Sequence, residues 1–194
     1  MTDPADNGWQ MVVPDERIFR RGNLGGKGSD LRWGGVRIEL PDGRPIPDAT
    51  YHEIGVLGLV DRLPTEQLIP FWRELYRICR HGAVVTVVGA YWSHVDAWAD
   101  PTRRRGLSER MFAYLSSEER KAIEADPHED DVAIDLLRDV DLRPTKITRV
   151  TEQDWDTRSD EAKNWGLRHA INVARRLEVV LVAHKLPAGA ATTP

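Results

Sequence analysis

The feature that most constrains the fold is a strand–helix–strand pattern between residues 53 and 91. Residues 53–60 are apolar on both faces, as in a buried parallel strand, and residues 83–91 are rich in β-branched side chains. Between them, residues 65–80 place apolar side chains at helical spacing, and Gly82 is predicted to end this helix as a left-handed cap. This order forms a right-handed βαβ unit with parallel strands, so the sequence predicts an α/β fold.

The flanking segments predict the other elements of a single domain over residues 1–186, followed by a flexible tail at 187–194. Ser116 with Glu119 forms a capping box that opens one helix, and Ser159 caps another. The apolar face of the second helix is predicted to comprise Trp165, Ala170, Val173, Ala174 and Leu177. The remaining predictions are strands at 36–40, 146–150 and 177–186 and a short helix around 108–115.

Composition narrows the class of protein. The 194 residues carry a net charge of −4, so no global basic field attracts nucleic acid. Cys79 is the single cysteine, which excludes an intramolecular disulfide, and its place on the apolar face of the predicted helix indicates a packed thiol. No apolar run reaches the about 18 residues of a membrane span, and the polar N-terminus is unlike a signal peptide. We therefore expect a cytoplasmic protein that does not engage membranes.

Two segments have a structural and a functional interpretation. Residues 22–28 contain four glycines, which favours a flexible turn but is also compatible with an anion-binding loop. Residues 124–131 are acidic around His128, which favours a solvated junction between helices over a metal site, because the spacing fits no standard metal site. The sequence therefore predicts no metal ligands.

Four stretches, in the same order and spacing, carry a resemblance to a known family. Residues 45–54 resemble L-P-F-P-D-x-S-F-D-x-I, and residues 59–63 resemble V-L-E-H-L. Residues 74–83 resemble E-L-x-R-V-L-K-P-G-G, and residues 100–105 resemble D-P-T-H-x-R. Together they resemble the second half of class I S-adenosylmethionine-dependent methyltransferases, most closely a small subgroup found in bacteria and phages.

The resemblance implies a Rossmann-like methyltransferase sheet, mostly parallel, with an antiparallel C-terminal strand. It also implies S-adenosylmethionine as the cofactor. Asp42, or Glu39 if the register differs, would accept from the adenine amino group, although Asp42 also fits a plain turn former. Gly58 and Leu59 would lie near the cofactor.

The departures from the family pattern concentrate in the cofactor half. The family's Glu-His pair is Asp61-Arg62 here, and its histidine after Asp-Pro-Thr is Arg103. The glycine-rich cofactor motif is not identifiable, and only 52 residues precede Glu53, where three strands with their helices would need more than that. The sequence therefore predicts an abbreviated N-terminal half.

Ligands of open α/β sheets bind beyond the carboxyl ends of the strands, which selects the loop after residue 90. His94 and Asp100 are the candidate catalytic bases there, each with a structural alternative. Tyr91, Trp92 and Arg103 are the candidate contacts to a substrate or partner. Arg103 with its two neighbours forms a cationic patch for a phosphate or acidic partner, or a solvated cluster.

Two functions of different class remain open. One is methyl transfer from S-adenosylmethionine to a small-molecule or macromolecular acceptor. The other is a catalytically inactive methyltransferase-fold protein that binds a partner as an accessory protein, phage-encoded accessory proteins included. The sequence leaves homodimerisation open, and its acidity disfavours nucleic acid as the partner.

Overall fold

A computed structural model describes residues 9–10, 31–33, 35–40, 42–125 and 132–185. Its strands are β1 (Trp9–Gln10), β2 (Arg32–Trp33), β3 (Ile38–Glu39), β4 (Tyr51–Leu57), β5 (Cys79–Ala90), β6 (Leu142–Thr151) and β7 (Ala174–Ala183). Its helices are α1 (Thr65–Ile78), α2 (Asp96–Ala99), α3 (Glu109–Ala113), α4 (Ser117–Glu124), α5 (Val132–Leu136), α6 (Gln153–Asp156) and α7 (Asp160–His169).

The main sheet has the spatial order β4-β5-β7-β6. The pair β4 and β5 is parallel, with Val56 opposite Val87, and the helix α1 connects them. Strand β7 runs antiparallel to both of its neighbours, β5 and β6. Three strands therefore share one direction and the C-terminal strand opposes them, which confirms the predicted fold class: an α/β fold with an abbreviated Rossmann-like sheet.

The N-terminal half is reduced in the part of the chain that the structure describes. Strands β1, β2 and β3 form a separate antiparallel sheet of two-residue strands, and no strand within 9–10, 31–33, 35–40, 42–125 and 132–185 pairs with the outer edge of β4. The predicted strand at 36–40 is β3, whose Ile38 amide donates to Glu74 Oε1 of α1 at 3.2 Å. The glycine-rich residues 22–28 and the tail at 187–194 lie outside the described residues.

Helix α1 covers the sheet through its predicted apolar face. Phe71, Trp72, Leu75 and Ile78 are buried, and the rings of Phe71 and Trp72 meet edge to face at 5.3 Å. Trp72 also contacts Phe112 of α3 edge to face, which ties the segment after β5 to the same core. Large buried rings in such contacts supply much of the stabilisation that fixes α1 on the sheet.

The predicted end of this helix is wrong. Helix α1 ends at Ile78, and Gly82, with φ of 75°, lies within β5 rather than capping the helix. Cys79 belongs to β5, yet its thiol is buried as predicted, and burial raises its pKa to about 12. A thiol with so high a pKa stays protonated at neutral pH, so Cys79 is a packing residue.

Three other boundaries differ from the predictions. The strand predicted at 53–60 ends at Leu57, because the chain turns at Gly58, where φ is 58°. The strand predicted at 146–150 extends over Leu142–Thr151, and the final strand is Ala174–Ala183 rather than 177–186. Alternating apolar residues identify a strand but do not fix its first and last residues, because these depend on how far the neighbouring strands pair with it.

The helix that Ser159 caps is present but shorter than predicted. The Ser159 side chain accepts from the Ala162 amide at 3.2 Å, and α7 ends at His169. Ala174 and Leu177 are buried in β7 instead, and Trp165 is exposed and stacked on His169. The prediction of one apolar helix face over residues 165–177 is therefore wrong, because it joined residues of a helix and a strand. At Ser116 the predicted cap is confirmed by its hydrogen bond from the Glu119 amide.

Membrane-spanning helices and metal-binding clusters are both absent from the residues that the structure describes. None of the described helices combines the length and apolar character needed to cross a bilayer. Within the same residues, no group of three or more histidine, cysteine or acidic side chains is arranged to hold a metal ion. The acidic segment 126–131 lies outside them.

Candidate functional site

A cleft of about 410 Å³ lies at the carboxyl ends of β4 and β5. Because the two strands are parallel, both end at the same edge of the sheet, and the antiparallel β7 begins there, with Arg176 opposite Ala90. This is where open α/β sheets bind ligands. The lining residues are Leu57, Gly58, Asp61, Val88, Gly89, Ala90, Asp96, Arg103, Arg175 and Arg176.

A larger groove of about 660 Å³ runs along α1 but is a weaker candidate. It is more open, and its charged side chains bond to one another: Arg77 Nε lies 2.7 Å from Glu74 Oε2, and Arg73 Nε lies 2.9 Å from Asp139 Oδ2. The hydrogen bonds that Arg77 donates to Glu74 raise the pKa of Arg77 further above its usual range. Groups that already satisfy each other leave little for a ligand to bind.

Two glycines at the ends of neighbouring strands line the cleft. A Cβ atom on Gly89 would overlap with Leu107 Cδ1, so a larger residue at this position of β5 requires the Leu107 side chain to shift. Gly58 has a positive φ, which allows the turn directly after β4. Glycine at position 58 therefore shapes the turn at the edge of the cleft.

Asp61 is the centre of the cleft wall. Its side chain is fully buried, with Oδ2 3.0 Å from Arg103 Nε and Oδ1 3.4 Å from Arg62 Nη1. Its backbone carbonyl accepts hydrogen bonds from the amides of Arg104 and Arg105, at 2.7 and 3.2 Å. One residue in the turn after β4 thus fixes the loop that follows α2.

The ion pair at the centre of this wall is not a hydrogen bond. Asp61 Oδ2 and Arg103 Nε are both buried and neither has a hydrogen-bond partner, although they lie 3.0 Å apart. The two charges neutralise each other, but Asp61 Oδ2 accepts no hydrogen bond and Arg103 Nε donates none. A buried carboxylate oxygen of this kind can accept from a donor group of a ligand in the cleft.

The three arginines at 103–105 are not a solvated cluster. Arg103 bonds inward to Asp61, and Arg105 donates to Val60 O at 3.3 Å and to Thr65 Oγ1 at 3.1 Å. Burial lowers the pKa of Arg105, which Arg104 also lowers. Arg103 is the member of this group that lines the cleft.

Asp100 is bonded to the same wall. Its Oδ2 lies 2.7 Å from Arg62 Nη2, and its Oδ1 accepts from the Thr102 hydroxyl at 2.7 Å and from the Thr102 amide at 2.9 Å. The Thr102 hydrogen bonds, together with Arg62, lower the pKa of Asp100 to about 2. A carboxylate with so low a pKa is a weak base, so its geometry favours shaping the loop over proton abstraction.

We expect Asp100 to titrate near pH 2 in the folded protein. Because this pKa lies below the 3.8 of a free carboxyl group, the interactions of Asp100 stabilise the fold above about pH 4. They are lost as the pH falls through 2. A carbon-13 titration of the Asp100 carboxyl measures this, and Thr102→Val is expected to raise the midpoint. A midpoint near 3.8 in the unaltered protein would contradict the hydrogen-bond geometry.

His94 is buried and has both ring nitrogens engaged. Its Nε2 lies 2.9 Å from Glu152 Oε1, and its Nδ1 accepts from the Asp96 amide at 3.0 Å. These bonds fix the tautomer with hydrogen on Nε2 and hold the start of α2 against the segment after β6. This geometry gives His94 a positioning role, and the residue does not line the cleft.

Tyr91 and Trp92 lie beside the cleft rather than in its lining. The buried Tyr91 hydroxyl donates to Glu109 Oε1 at 3.1 Å. Trp92 is 49% exposed, and its backbone carbonyl accepts from Trp98 Nε1 at 3.0 Å. A substrate that extends beyond the cleft could reach the exposed Trp92. Tyr91 is buried in the core.

The three residues proposed for the cofactor separate in space. Gly58 lines the cleft, whereas the Leu59 side chain is buried in the hydrophobic core. Asp42 is exposed and outside the lining, in a turn where its Oδ2 lies 2.7 Å from Arg44 Nε. Hydrogen bonds from Arg44 lower the pKa of Asp42. The arrangement around Asp42 matches the turn interpretation.

Sequence reasoning missed Gly89, Arg175 and Arg176. The two arginines stand immediately before an apolar strand, and only the position of β7 beside β5 brings them to the cleft. A pair of basic residues at a strand entrance is the one sequence signal that pointed to them. Without the sheet order, this signal does not distinguish them from other surface arginines.

Comparisons with known proteins give structural neighbours of low sequence identity. No protein-family profile matches the sequence, and no curated protein is significantly similar to it. The structure is similar to a SAM-dependent methyltransferase from Archaeoglobus fulgidus, with a TM-score of 0.46 and 14% identity over 71% of this chain and 61% of that one. It is also similar to the YcgJ protein from Bacillus subtilis, with a TM-score of 0.41 and 10% identity over 74% of this chain and 68% of that one. The chain thus spans less than two thirds of the length of the Archaeoglobus protein.

Proposed function

We propose that this protein binds S-adenosylmethionine in the cleft at the ends of β4 and β5 and transfers its methyl group to a small acceptor. The cleft itself supports the proposal: its volume lies within the roughly 300–1,000 Å³ of small-molecule sites, and it sits at the ligand-binding edge of the sheet. Two of the four motifs that resemble the methyltransferase family, at residues 59–63 and 100–105, contribute Asp61 and Arg103 to the lining.

Two carboxylates of the cleft can accept hydrogen bonds from a cationic group of a ligand. Asp61 and Asp96 line the cleft, and Asp61 Oδ2 has unused capacity to accept a hydrogen bond. When bound, S-adenosylmethionine would supply an electrophilic methyl group at a sulfonium centre. The chain would hold the acceptor in line with it, a proximity effect that needs little acid–base apparatus.

A second function, ligand binding without turnover, is favoured by the state of the candidate bases. Both nitrogens of His94 are engaged, and Asp100 has a pKa of about 2. An acceptor that must lose a proton before attack would find no free base in either residue. The methyltransferase proposal therefore requires an acceptor that already presents a lone pair, such as a neutral amine or an ionised oxyanion.

Calorimetric titration of the full chain with S-adenosylmethionine and S-adenosylhomocysteine tests both functions. We expect binding at millimolar ligand or below, and we expect Val88→Phe to abolish it by filling the cleft. Asp42→Ala is the matched control, because Asp42 is exposed and outside the lining, and it should leave binding unchanged. Absence of binding to the unaltered chain would overturn the proposal.

Turnover separates the two functions once binding is established. Tritiated S-adenosylmethionine is incubated with the protein and a small-molecule cell extract, and labelled products are separated from the donor. Label in an organic product that Val88→Phe prevents supports methyl transfer. Tight binding without any labelled product supports the inactive binding protein.

A further inference from the structure

We propose that Arg175 and Arg176 make this cleft a site for a phosphate group, so that its small-molecule ligand is a phosphate or diphosphate ester. Both residues line the cleft where β7 begins, and both are exposed. Because it names the acceptor, the inference rests on the proposed function. It concerns a different part of the cleft from the Asp61 wall.

The first argument is that these two charges are not used by the described fold. Three nearby arginines each have an acidic or carbonyl partner: Arg62 pairs with Asp100, Arg103 forms an ion pair with Asp61, and Arg105 donates to Val60 O. Neither Arg175 nor Arg176 forms an ion pair or a side-chain hydrogen bond with any residue in the described ranges. Their guanidinium groups are thus available to an external anion.

The second argument concerns the charge of the lining. Asp61 is neutralised by Arg103 within the wall, which leaves Asp96 as the acidic side chain facing the two free arginines. The Asp96 amide is directed to His94 Nδ1, and its carboxylate lies 3.5 Å from the same atom. The mouth formed by β7 is therefore cationic in an otherwise acidic protein, which concentrates anions at this point.

The third argument selects phosphate among the anions. A guanidinium group presents several N–H donors in a planar fork, which matches the oxygens of phosphate, and the two positive charges in the lining offset a dianion. Ala90, opposite Arg176 in the ladder, has only a methyl side chain, so an anion at this entrance meets no bulky neighbour on β5. The cleft volume suits a small ester and not a nucleic-acid duplex.

Titration of the full chain with inorganic pyrophosphate, without S-adenosylmethionine and at constant ionic strength, tests the site. We expect saturable binding that exceeds binding of acetate and chloride, and we expect Arg175→Ala and Arg176→Ala each to weaken it about tenfold. Arg176→Lys should retain part of the affinity. Arg37→Ala is the matched control, since Arg37 is an exposed arginine outside the cleft. Equal weakening by Arg37→Ala would overturn the proposal.

A second measurement needs no variant. Phenylglyoxal modifies exposed arginines, and mass spectrometry of the peptide that contains residues 175–176 reports how far pyrophosphate protects them. Protection of this peptide with none at Arg37 supports the site; equal modification with and without pyrophosphate overturns it. A chain that binds S-adenosylmethionine but not pyrophosphate keeps the proposed function and loses the phosphate site. A chain that binds only pyrophosphate keeps the site and loses the proposed function.

Discussion

Replacing Asp61 with asparagine is expected to lower the free energy of unfolding by about 3 kcal/mol, because removal of one partner leaves a buried ion pair uncompensated. The Asp61 side chain has no exposed surface, and Arg103, 3.0 Å away, is 20% exposed. Asparagine keeps the shape but not the charge, so Arg103 keeps its hydrogen bond to the Asp96 carbonyl but loses its closest carboxylate; the Oδ2 of Asp100 is 4.0 Å from its Nε. Urea unfolding followed by circular dichroism measures the loss.

The matched control for this prediction is Asp42→Asn. Asp42 also pairs with an arginine, at 2.7 Å, but both side chains are largely exposed. Exposed ion pairs contribute little to stability, so this variant should unfold at nearly the same urea concentration as the parent. If Asp61→Asn were as stable as Asp42→Asn, the carboxylate would not be the group that holds the cleft wall together.

Replacing Gly106 with alanine is expected to cost about 2 to 3 kcal/mol and to loosen the loop over the cleft. A Cβ atom at this position would overlap with the Cα of Trp92 and lie 3.0 Å from its Cβ. Rotation of a side chain cannot relieve a clash with backbone, so the two segments must separate. Their separation breaks the hydrogen bond from the Trp92 amide to Leu107 O, now 3.0 Å long.

Hydrogen exchange checks the location of this second effect. Amides of residues 92 and 107 should exchange faster in Gly106→Ala, whereas those at the centre of β5 should change less. Gly82→Ala is the control: its φ of 75° costs about 1 kcal/mol in strain, but nothing lies within 4 Å of the added atom. Faster exchange throughout the sheet in Gly106→Ala, with no excess at 92 and 107, would refute a local effect on the loop.

Much of the fold was predictable because local patterns encode it. The alternation around Val87 and the helical spacing of Phe71 and Leu75 gave the parallel pair and its connecting helix. The caps at Ser116 and Ser159 were predictable for the same reason, since a serine bonds to an amide three residues ahead. The errors fall at ends of elements, as at Gly82, where pairing with a neighbouring strand overrides the local preference.

The candidate site was predictable only in part. Gly58 was named from its place at the end of a predicted strand and Arg103 from a motif, and both line the cleft. His94 and Asp100 were named as bases because their residue types suit that chemistry. The structure surrounds each with partners that no local pattern shows: Glu152 for His94 and Arg62 for Asp100. These partners lie far away in sequence, so their effects on the candidate bases emerge only in the folded chain.

The sequence by itself determined the α/β class and the parallel strand pair, because hydrophobic periodicity is a local property of the chain. Only the tertiary structure decided which charged side chains near the cleft form ion pairs and which of the described ones do not. Asp61 and Arg103 neutralise each other because a turn and a distant loop meet, while Arg175 and Arg176 reach the cleft unpaired because β7 inserts beside β5. Electrostatic interactions depend on distances in space, and these are set by the order of strands in the sheet rather than by the order of residues in the chain.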